Sequence, residues 1–312
     1  MYDIIIVGSG PAGLTAALYA RRAEKSVLVI EKNTFGGQIT QSPRVENYPG
    51  FNEISGSELG EKLLDQAMTQ GADIELDTVT DVTGEPGSYK VICEGGVFEG
   101  KSVIIAAGSK HRTLGIEGEE AYTGEGISYC AVCDGAFYKE KTVAIIGGGN
   151  TALQEANLLS DGCKKVYVIQ NLPYFTGEKN LASRLYSKKN IDVVFSTVVT
   201  GIIEKNGEFR GIKLKNTESG DEGELMLDGM FVAIGQKPEN EPFSKVSALN
   251  EYGYIKAGED CLPDGAAPGI FVAGDCRTKA IRQVTTATAD GAVAALAACR
   301  FLDSLQQKGA DR

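Results

Sequence analysis

The chain of 312 residues contains one histidine, His111. So little imidazole argues against a reaction built on histidine acid–base chemistry, and His111 is expected at the surface or in a hinge. Basic charge is also short: 31 Lys and Arg face 42 Asp and Glu, for a net charge of −11. A chain without a basic excess does not offer the face that a phosphate backbone requires, so no nucleic-acid partner is expected. No apolar run reaches the roughly 20 residues of a membrane-spanning helix, so no membrane partner is expected either. Met1-Tyr-Asp-Ile-Ile-Ile-Val7 lacks the basic start of a signal peptide and runs straight into a strand. A second Cys-x-x-Cys is missing, which weighs against a structural zinc site with its two close ligand pairs.

Seven cysteines are present, an odd number scattered through a chain of ordinary composition. A disulfide-framed secreted fold is therefore not expected, and a reducing cytoplasm is the expected compartment. Cys93, Cys163, Cys261, Cys276 and Cys299 stand alone and read as small buried hydrophobes. Only Cys130 and Cys133, in Tyr129-Cys-Ala-Val-Cys-Asp134, are spaced as a motif.

The chain repeats one unit. Asp3-Ile-Ile-Ile-Val-Gly8-Ser-Gly10-Pro-Ala-Gly13 predicts a strand, a tight turn and a helix through Arg22, followed by the strand Ser26–Ile30 and Glu31. Thr142-Val-Ala-Ile-Ile-Gly147-Gly-Gly149-Asn-Thr-Ala152 predicts the same order, with a helix through Leu159 and a strand over Lys165–Ile169. Each is a βαβ unit of nucleotide-binding type. Apolar strands ending in glycine recur at Ser102–Gly108, Gly229–Gly235 and Gly269–Gly274, and an Ala-rich helix is predicted over Thr285–Leu302. Asp73–Val79 and Tyr89–Ile92 alternate in the manner of antiparallel strands. The expected class is α/β, with two Rossmann-like, three-layer ββα nucleotide-binding domains, the second inserted into the first. Residues 1–113 with 239–312 form the first domain and 114–238 the second. The last five residues are expected to be a disordered tail.

The first fingerprint follows G-x-G-x-x-G. Gly8 permits the turn, Gly10 admits a pyrophosphate, and Gly13 lets helix and strand pack closely, with Ser9, Pro11 and Ala12 between them. Glu31 ends the second strand about twenty residues on, where a ribose hydroxyl is held in such folds. The Cys130–Cys133 pair can exchange electrons with a partner disulfide by thiolate attack and resolution. Asp134 is placed to protonate the departing thiolate; a turn-capping role is the plainer alternative.

Together these segments resemble the low-molecular-weight thioredoxin reductases over nearly the whole chain. Also matching are Gly36-Gly-Gln38, Val45-Glu-Asn-Tyr-Pro-Gly50, Gly274-Asp275, Arg282-Gln-Val-Thr-Thr-Ala287 and Asp290-Gly291. The resemblance implies a homodimeric FAD enzyme whose two domains rotate relative to each other. It implies that Cys133 takes electrons from the flavin, that Cys130 attacks the thioredoxin disulfide, and that Asp134 is the acid. It adds Gly37, Gln38, Asn47, Ala107, Gly108, Asp275, Arg282, Gln283, Val284 and Ala287 to the residues around FAD.

One segment departs from that pattern. NADPH-dependent members follow the second βαβ strand with His-Arg-Arg-x-x-Phe-Arg, whose arginines hold the 2′-phosphate. Here the stretch is Gln170-Asn-Leu-Pro-Tyr-Phe-Thr176, without a cation. Each charge-assisted bond is worth about 1.5–3 kcal/mol, so the loss of three weakens NADPH by orders of magnitude. Gln170 stands where an acid would grip a 2′-hydroxyl, and Pro173, Tyr174 and Phe175 either fill the vacated pocket or simply pack. The pattern resembles the ferredoxin-dependent flavin thioredoxin reductases, so reduced ferredoxin is the expected donor. Ferredoxins are acidic, so docking needs a local basic patch. Arg184, Lys188, Lys189, Lys164 and Lys165 are the candidates, with scattered solvated charges as the alternative. An NADPH enzyme with an atypical phosphate site, a reductase of another disulfide partner, and a non-catalytic flavin redox sensor are the competing readings.

Overall fold

The computed structural model describes residues 1–310. The chain forms two compact units, residues 1–110 with the segment from Lys237 onward, and His111–Gln236.

In the first unit, β1 (Tyr2–Val7), α1 (Pro11–Arg22) and β2 (Val27–Glu31) form the leading βαβ unit. They are followed by α2 (Gly56–Thr69), β3 (Asp73–Leu76), β4 (Val79–Glu85), β5 (Ser88–Cys93), β6 (Val97–Ile105) and β7 (Ser109–His111). The main sheet runs β3-β2-β1-β6-β5-β4. β1 lies between two parallel neighbours, and Ile4, Ile5 and Ile6 are fully buried, as a strand covered on both faces requires. Successive side chains point to opposite faces. Ile4 and Ile6 therefore join the core with Leu14, Ala16 and Ala17 of α1, while Ile5 and Val7 join Val82, Tyr89 and Val91 on the other side.

The second unit contains β8 (Ile127–Ser128), α3 (Ala131–Asp134), β9 (Thr142–Ile146), α4 (Asn150–Ser160), β10 (Lys165–Ile169), α5 (Lys179–Tyr186) and β11 (Ile191–Val194). An antiparallel meander follows, β12 (Thr197–Lys205), β13 (Glu208–Asn216) and β14 (Glu222–Met226), and then β15 (Gly229–Val232); β16 (Gln236–Pro238) starts at the last residue of this unit and ends in the first. The parallel sheet is ordered β11-β10-β9-β15-β8. Val143 and Ile145 face the helices α4 and α5, and Ala144 and Ile146 face the meander. These are the three layers of an α/β nucleotide-binding fold.

The chain then returns to the first unit as β17 (Ile270–Val272), parallel to β6, and α6 (Val284–Ala310), which packs along α1.

The compact units divide at 110/111 and 236/237, within three residues of the expected 113/114 and 238/239. Two expectations need correction. Asp73–Leu76 is not antiparallel: it pairs in parallel with β2, since α2 supplies the crossover that a parallel neighbour needs. The tail expected over the last five residues begins inside α6, which continues to Ala310; residues 311 and 312 lie outside the described residues.

Candidate active site and cofactor cradle

In the first unit the fingerprint folds into a close-packed turn. Gly8 has φ of 104°, and a Cβ there would lie 2.3 Å from the Ala106 carbonyl oxygen. A Cβ on Gly13 would lie 1.9 Å from the carbonyl oxygen of Gly8, so α1 starts directly against the turn. At Gly10, by contrast, a Cβ would meet nothing within 4 Å. That opening sits at the first turn of α1, where unpaired N–H groups favour an anion. Pro11 occupies the first helical position and costs no hydrogen bond there.

Glu31 is buried and holds the loop itself. Its Oε2 accepts from the Ser9 amide (2.8 Å) and hydroxyl (2.9 Å), and its Oε1 from the Asn33 amide (2.9 Å). Any ribose contact by Glu31 must therefore use its remaining lone pairs. Gly37 lies against Gly10, with Cβ space only 2.9 Å from the Gly10 Cα, and Gln38 follows in a 3-10 turn. The Asn47 amide donates to Gln283 Oε1 at 3.3 Å, joining two segments 236 residues apart in sequence. Gly274 lies against Ala12 and Ala287, Gly8 against Ala107, and Arg282 Nε reaches the Asp275 carbonyl at 3.5 Å. Gly108 takes φ of 68° just beyond β6, and Val284 packs beside the cluster of Val45, Ile54 and Leu59.

Asp275 Oδ1 is buried with no hydrogen-bond partner, and burial raises the Asp275 pKa against the pull of Lys279 and Arg282. Asp290 anchors this loop by accepting from the Gly274 amide (3.0 Å), Arg277 and Lys279. Asp275 Oδ1 has only the Lys279 ammonium 4.0 Å away, beyond hydrogen-bond reach, and the adjoining Gly274 packs on Ala12 at the start of α1, which fits a cofactor with hydroxyl donors and a pyrophosphate.

In the second unit Cys130 and Cys133 are joined as a disulfide with Cα atoms 5.3 Å apart. Cys130 stands at the N-cap of α3, and the Cys133 amide donates to its Sγ at 3.2 Å. Ser128, two residues upstream, accepts from the Cys130 amide (3.1 Å) and donates its hydroxyl hydrogen to Asp134 Oδ2 (2.6 Å). Asp134 Oδ1 is buried without a partner. Burial raises the Asp134 pKa, and the Ser128 hydrogen bond partly opposes the rise. Asp134 follows Cys133 of the disulfide directly in sequence. His111 stacks on Tyr129 at 5.1 Å between ring centroids, and burial lowers its pKa.

The second fingerprint is covered by its own following segment. The Gln170 side chain is buried and packs over Gly148, where a Cβ would lie 2.5 Å from its Cδ. Its Nε2 donates to the Tyr174 carbonyl at 3.2 Å. Gln170 is thus committed to packing and does not stand free to grip a hydroxyl. Thr176 and Gly177 both donate their amides to the Gly148 carbonyl at 2.9 Å. Phe175 packs against Phe195 and Tyr186, whereas Pro173 and Tyr174 are exposed, so this stretch packs rather than filling a pocket. Of the basic candidates, Lys188 pairs with Asp161 (2.6 Å) and Lys165 with Asp192 (2.7 Å).

The residues predicted around the cofactor thus all fall in the first unit, and Cys130, Cys133 and Asp134 all fall in the second. Sequence reading missed Ser128 and Glu119. Glu119 is buried and accepts from the Leu114 and Gly115 amides and the Tyr129 hydroxyl. Ser128 carried one signal, its position two residues before a reactive cysteine. Glu119 carried none.

Two dinucleotide-type units, one of them bearing a disulfide next to a half-buried acid, define a disulfide oxidoreductase architecture. The family model for pyridine nucleotide-disulphide oxidoreductases matches residues 2–291. A thioredoxin reductase of Bacillus subtilis (strain 168) is 38% identical over 308 residues, covering 98% of this chain and 96% of that protein. A 34.2 kDa protein in the rubredoxin operon of Clostridium pasteurianum is 38% identical over 301 residues, covering 96% of this chain and 97% of that one. The crystal structure of thioredoxin reductase from Streptococcus pyogenes MGAS5005 superposes with a TM-score of 0.92 at 36% identity, covering 97% of this chain and 99% of that one. The chain therefore belongs to the pyridine nucleotide-disulphide oxidoreductase family and is a homologue of thioredoxin reductases. These are FAD-binding flavoproteins, and the cradle around Gly10 and Asp275 fits that cofactor. No helix among the described residues is long and apolar enough to cross a membrane.

Proposed function

We propose that the protein is an FAD-dependent thioredoxin-disulfide reductase that takes its electrons from reduced ferredoxin and works as a homodimer in the reducing cytoplasm. The observation that carries the reductase reading is Asp134, a half-buried acid with one buried, unpartnered oxygen, next in sequence to the Cys130–Cys133 disulfide. When bound, FAD would supply the electron pair needed to reduce this disulfide. Gly8, Ser9, Gly10, Pro11, Ala12, Gly13 and Gly37 offer backbone to the pyrophosphate, and Asp275 offers the oxygen that accepts no hydrogen bond to a hydroxyl. Glu31, Gln38, Asn47, Ala107, Gly108, Arg282, Gln283, Val284 and Ala287 complete the cradle.

The surroundings of the two sulfurs support different roles for them. The Cys133 amide donates to the Cys130 sulfur; the same contact would favour a Cys130 thiolate, which supports Cys130 as the attacking atom. Its attack on the thioredoxin disulfide forms a mixed disulfide and expels one thioredoxin thiolate, which takes the Asp134 proton. Cys133 then attacks the Cys130 sulfur, the intramolecular disulfide re-forms, and the second thioredoxin thiol leaves.

The donor is inferred from Gln170–Thr176. No cation stands there, and Gln170 is turned inward over Gly148. A 2′-phosphate would find none of the charge-assisted bonds it needs. The test is turnover of thioredoxin with NADPH, NADH and reduced ferredoxin in parallel. Turnover with ferredoxin alone is expected. Efficient turnover with micromolar NADPH would remove the donor assignment and leave the reductase assignment standing.

A further inference from the structure

Helix α4 buries Ala152, Leu153, Ala156 and Leu159, and Ala131 of α3 belongs to the same apolar cluster. Positions 152, 155, 156 and 159 form one i, i+3, i+4, i+7 stripe, the row by which a helix packs. Glu155 occupies that stripe. Its Oε2 is buried and has no hydrogen-bond partner. Four such side-chain atoms occur among the described residues, and the two in this unit are Glu155 Oε2 and Asp134 Oδ1. One lies on α3 and the other on the helix packed against α3.

Burial pushes the Glu155 pKa up to about 7, and only the backbone amide of Ala131, between the two cysteines, acts to lower it. The ionisable groups on the elements packed against α4 are the two cysteines and Asp134 on α3, Lys179, Arg184 and Tyr186 on α5, and Lys165 and Tyr167 on β10. None of these charges contributes to the shift. A carboxyl with no cation to hold its anion responds readily to any negative charge that develops across the Ala131 peptide.

We propose that Glu155 is a positioning residue of the dithiol site, taking up a proton when Cys130–Cys133 is reduced and returning it when the disulfide re-forms. This rests on the reading of Cys130–Cys133 as the working redox pair. Two electrons break the S–S bond and leave two sulfur anions. One proton from solvent, passed through Asp134, converts one of them to a thiol. The second proton goes to the Glu155 carboxylate, so the pocket holds one thiol, one thiolate and one neutral acid. On reoxidation by a partner disulfide both protons leave, one with each partner sulfur or to water.

The test uses full-length holoenzyme equilibrated with glutathione buffers from pH 5.5 to 8.5, with the dithiol counted by alkylation and mass. The wild-type equilibrium constant for reduction, divided by that of Glu155→Gln, should be flat below pH 7. Above it the ratio should fall by up to about tenfold per pH unit, because the reduced state holds one more proton. Asp134→Asn should keep this fall. Coincident wild-type and Glu155→Gln curves would overturn the proposal. If Glu155→Gln does not retain FAD and a cooperative melt, the wild-type chain with 13C-labelled glutamate decides instead. Its infrared difference spectrum on reduction at pH 7.5 must gain a protonated glutamate carbonyl band, and absence of that band overturns the proposal equally. Diverging curves in a protein that fails to reduce thioredoxin would sink the assigned partner and leave Glu155 in place. Coincident curves in one that turns thioredoxin over would do the reverse.

Discussion

The Ser128 hydroxyl donates to one oxygen of Asp134 at 2.6 Å, and the other oxygen of Asp134 is buried with nothing to accept from. The first contact favours the anion and the second feature the neutral acid, so Ser128 sets how far the Asp134 pKa rises. A general acid must be protonated, so its activity is full below its pKa and falls as pH rises through it. Asp134→Asn should lower thioredoxin reduction by about 100-fold or more. Ser128→Ala should move the alkaline limb of the wild-type pH profile to higher pH, because removing a bond to the anion raises the pKa. Steady-state rates across pH check both. A limb that stays in place in Ser128→Ala would count against Asp134 as the acid.

The two cysteines should differ when replaced. Cys133→Ser leaves the attacking Cys130 without its resolving partner, so it should accumulate a covalent adduct with oxidised thioredoxin once Cys130 is reduced. Cys130→Ser should not. Both should lose essentially all turnover. Intact-mass measurement of the adduct distinguishes them, and an adduct on Cys133 instead would exchange the two roles.

Asp275 should matter to the cofactor more than to the fold. Removing a buried acceptor that serves a hydroxyl costs about 1–3 kcal/mol, or roughly fivefold to 150-fold in affinity. Asp275→Ala should therefore be purified with less FAD and rebind it more weakly. Flavin absorbance per protein and a titration of the stripped protein give the answer.

The donor reading predicts a gain of function. Asn171 and Thr176 are exposed at the edge of the second fingerprint, whereas Gln170 is buried. Asn171→Arg with Thr176→Arg should speed NADPH reduction of the flavin by at least about tenfold, about the worth of one charge-assisted bond. Stopped-flow absorbance measures it, and an already fast wild type would contradict the premise.

Glu155 also predicts a stability difference. Its ordinary pKa is 4.5 and its folded value about 7, so between these values the folded chain binds more protons than the unfolded one. Stability from this group is complete below pH 4.5 and is lost as pH rises through 7. The interval corresponds to about 3 kcal/mol at 1.36 kcal/mol per unit. Glu155→Gln should remove that loss, gaining on the wild type at pH 8 relative to pH 5 in urea unfolding.

The local sequence alone determined the two βαβ units, the turn at Gly8–Gly13, the Cys130–Cys133 pair and the missing cations at Gln170–Thr176. Each is a pattern of adjacent residues whose spacing matches a helical or strand period, so neighbours along the chain suffice to read it. Tertiary structure decided what depends on residues far apart. Asp73–Leu76 alternates like an antiparallel strand, but its partner is chosen by the crossover through α2. Glu31 looks free in sequence, and only the folded turn shows both of its oxygens held by Ser9 and Asn33. Gln170 reads as a ligand position until Gly148 is seen beneath it. Glu155 is one acid on an amphipathic helix, and its isolation comes from the burial of that face against α3. Desolvation is set by everything packed around a group, and no stretch of sequence carries that information.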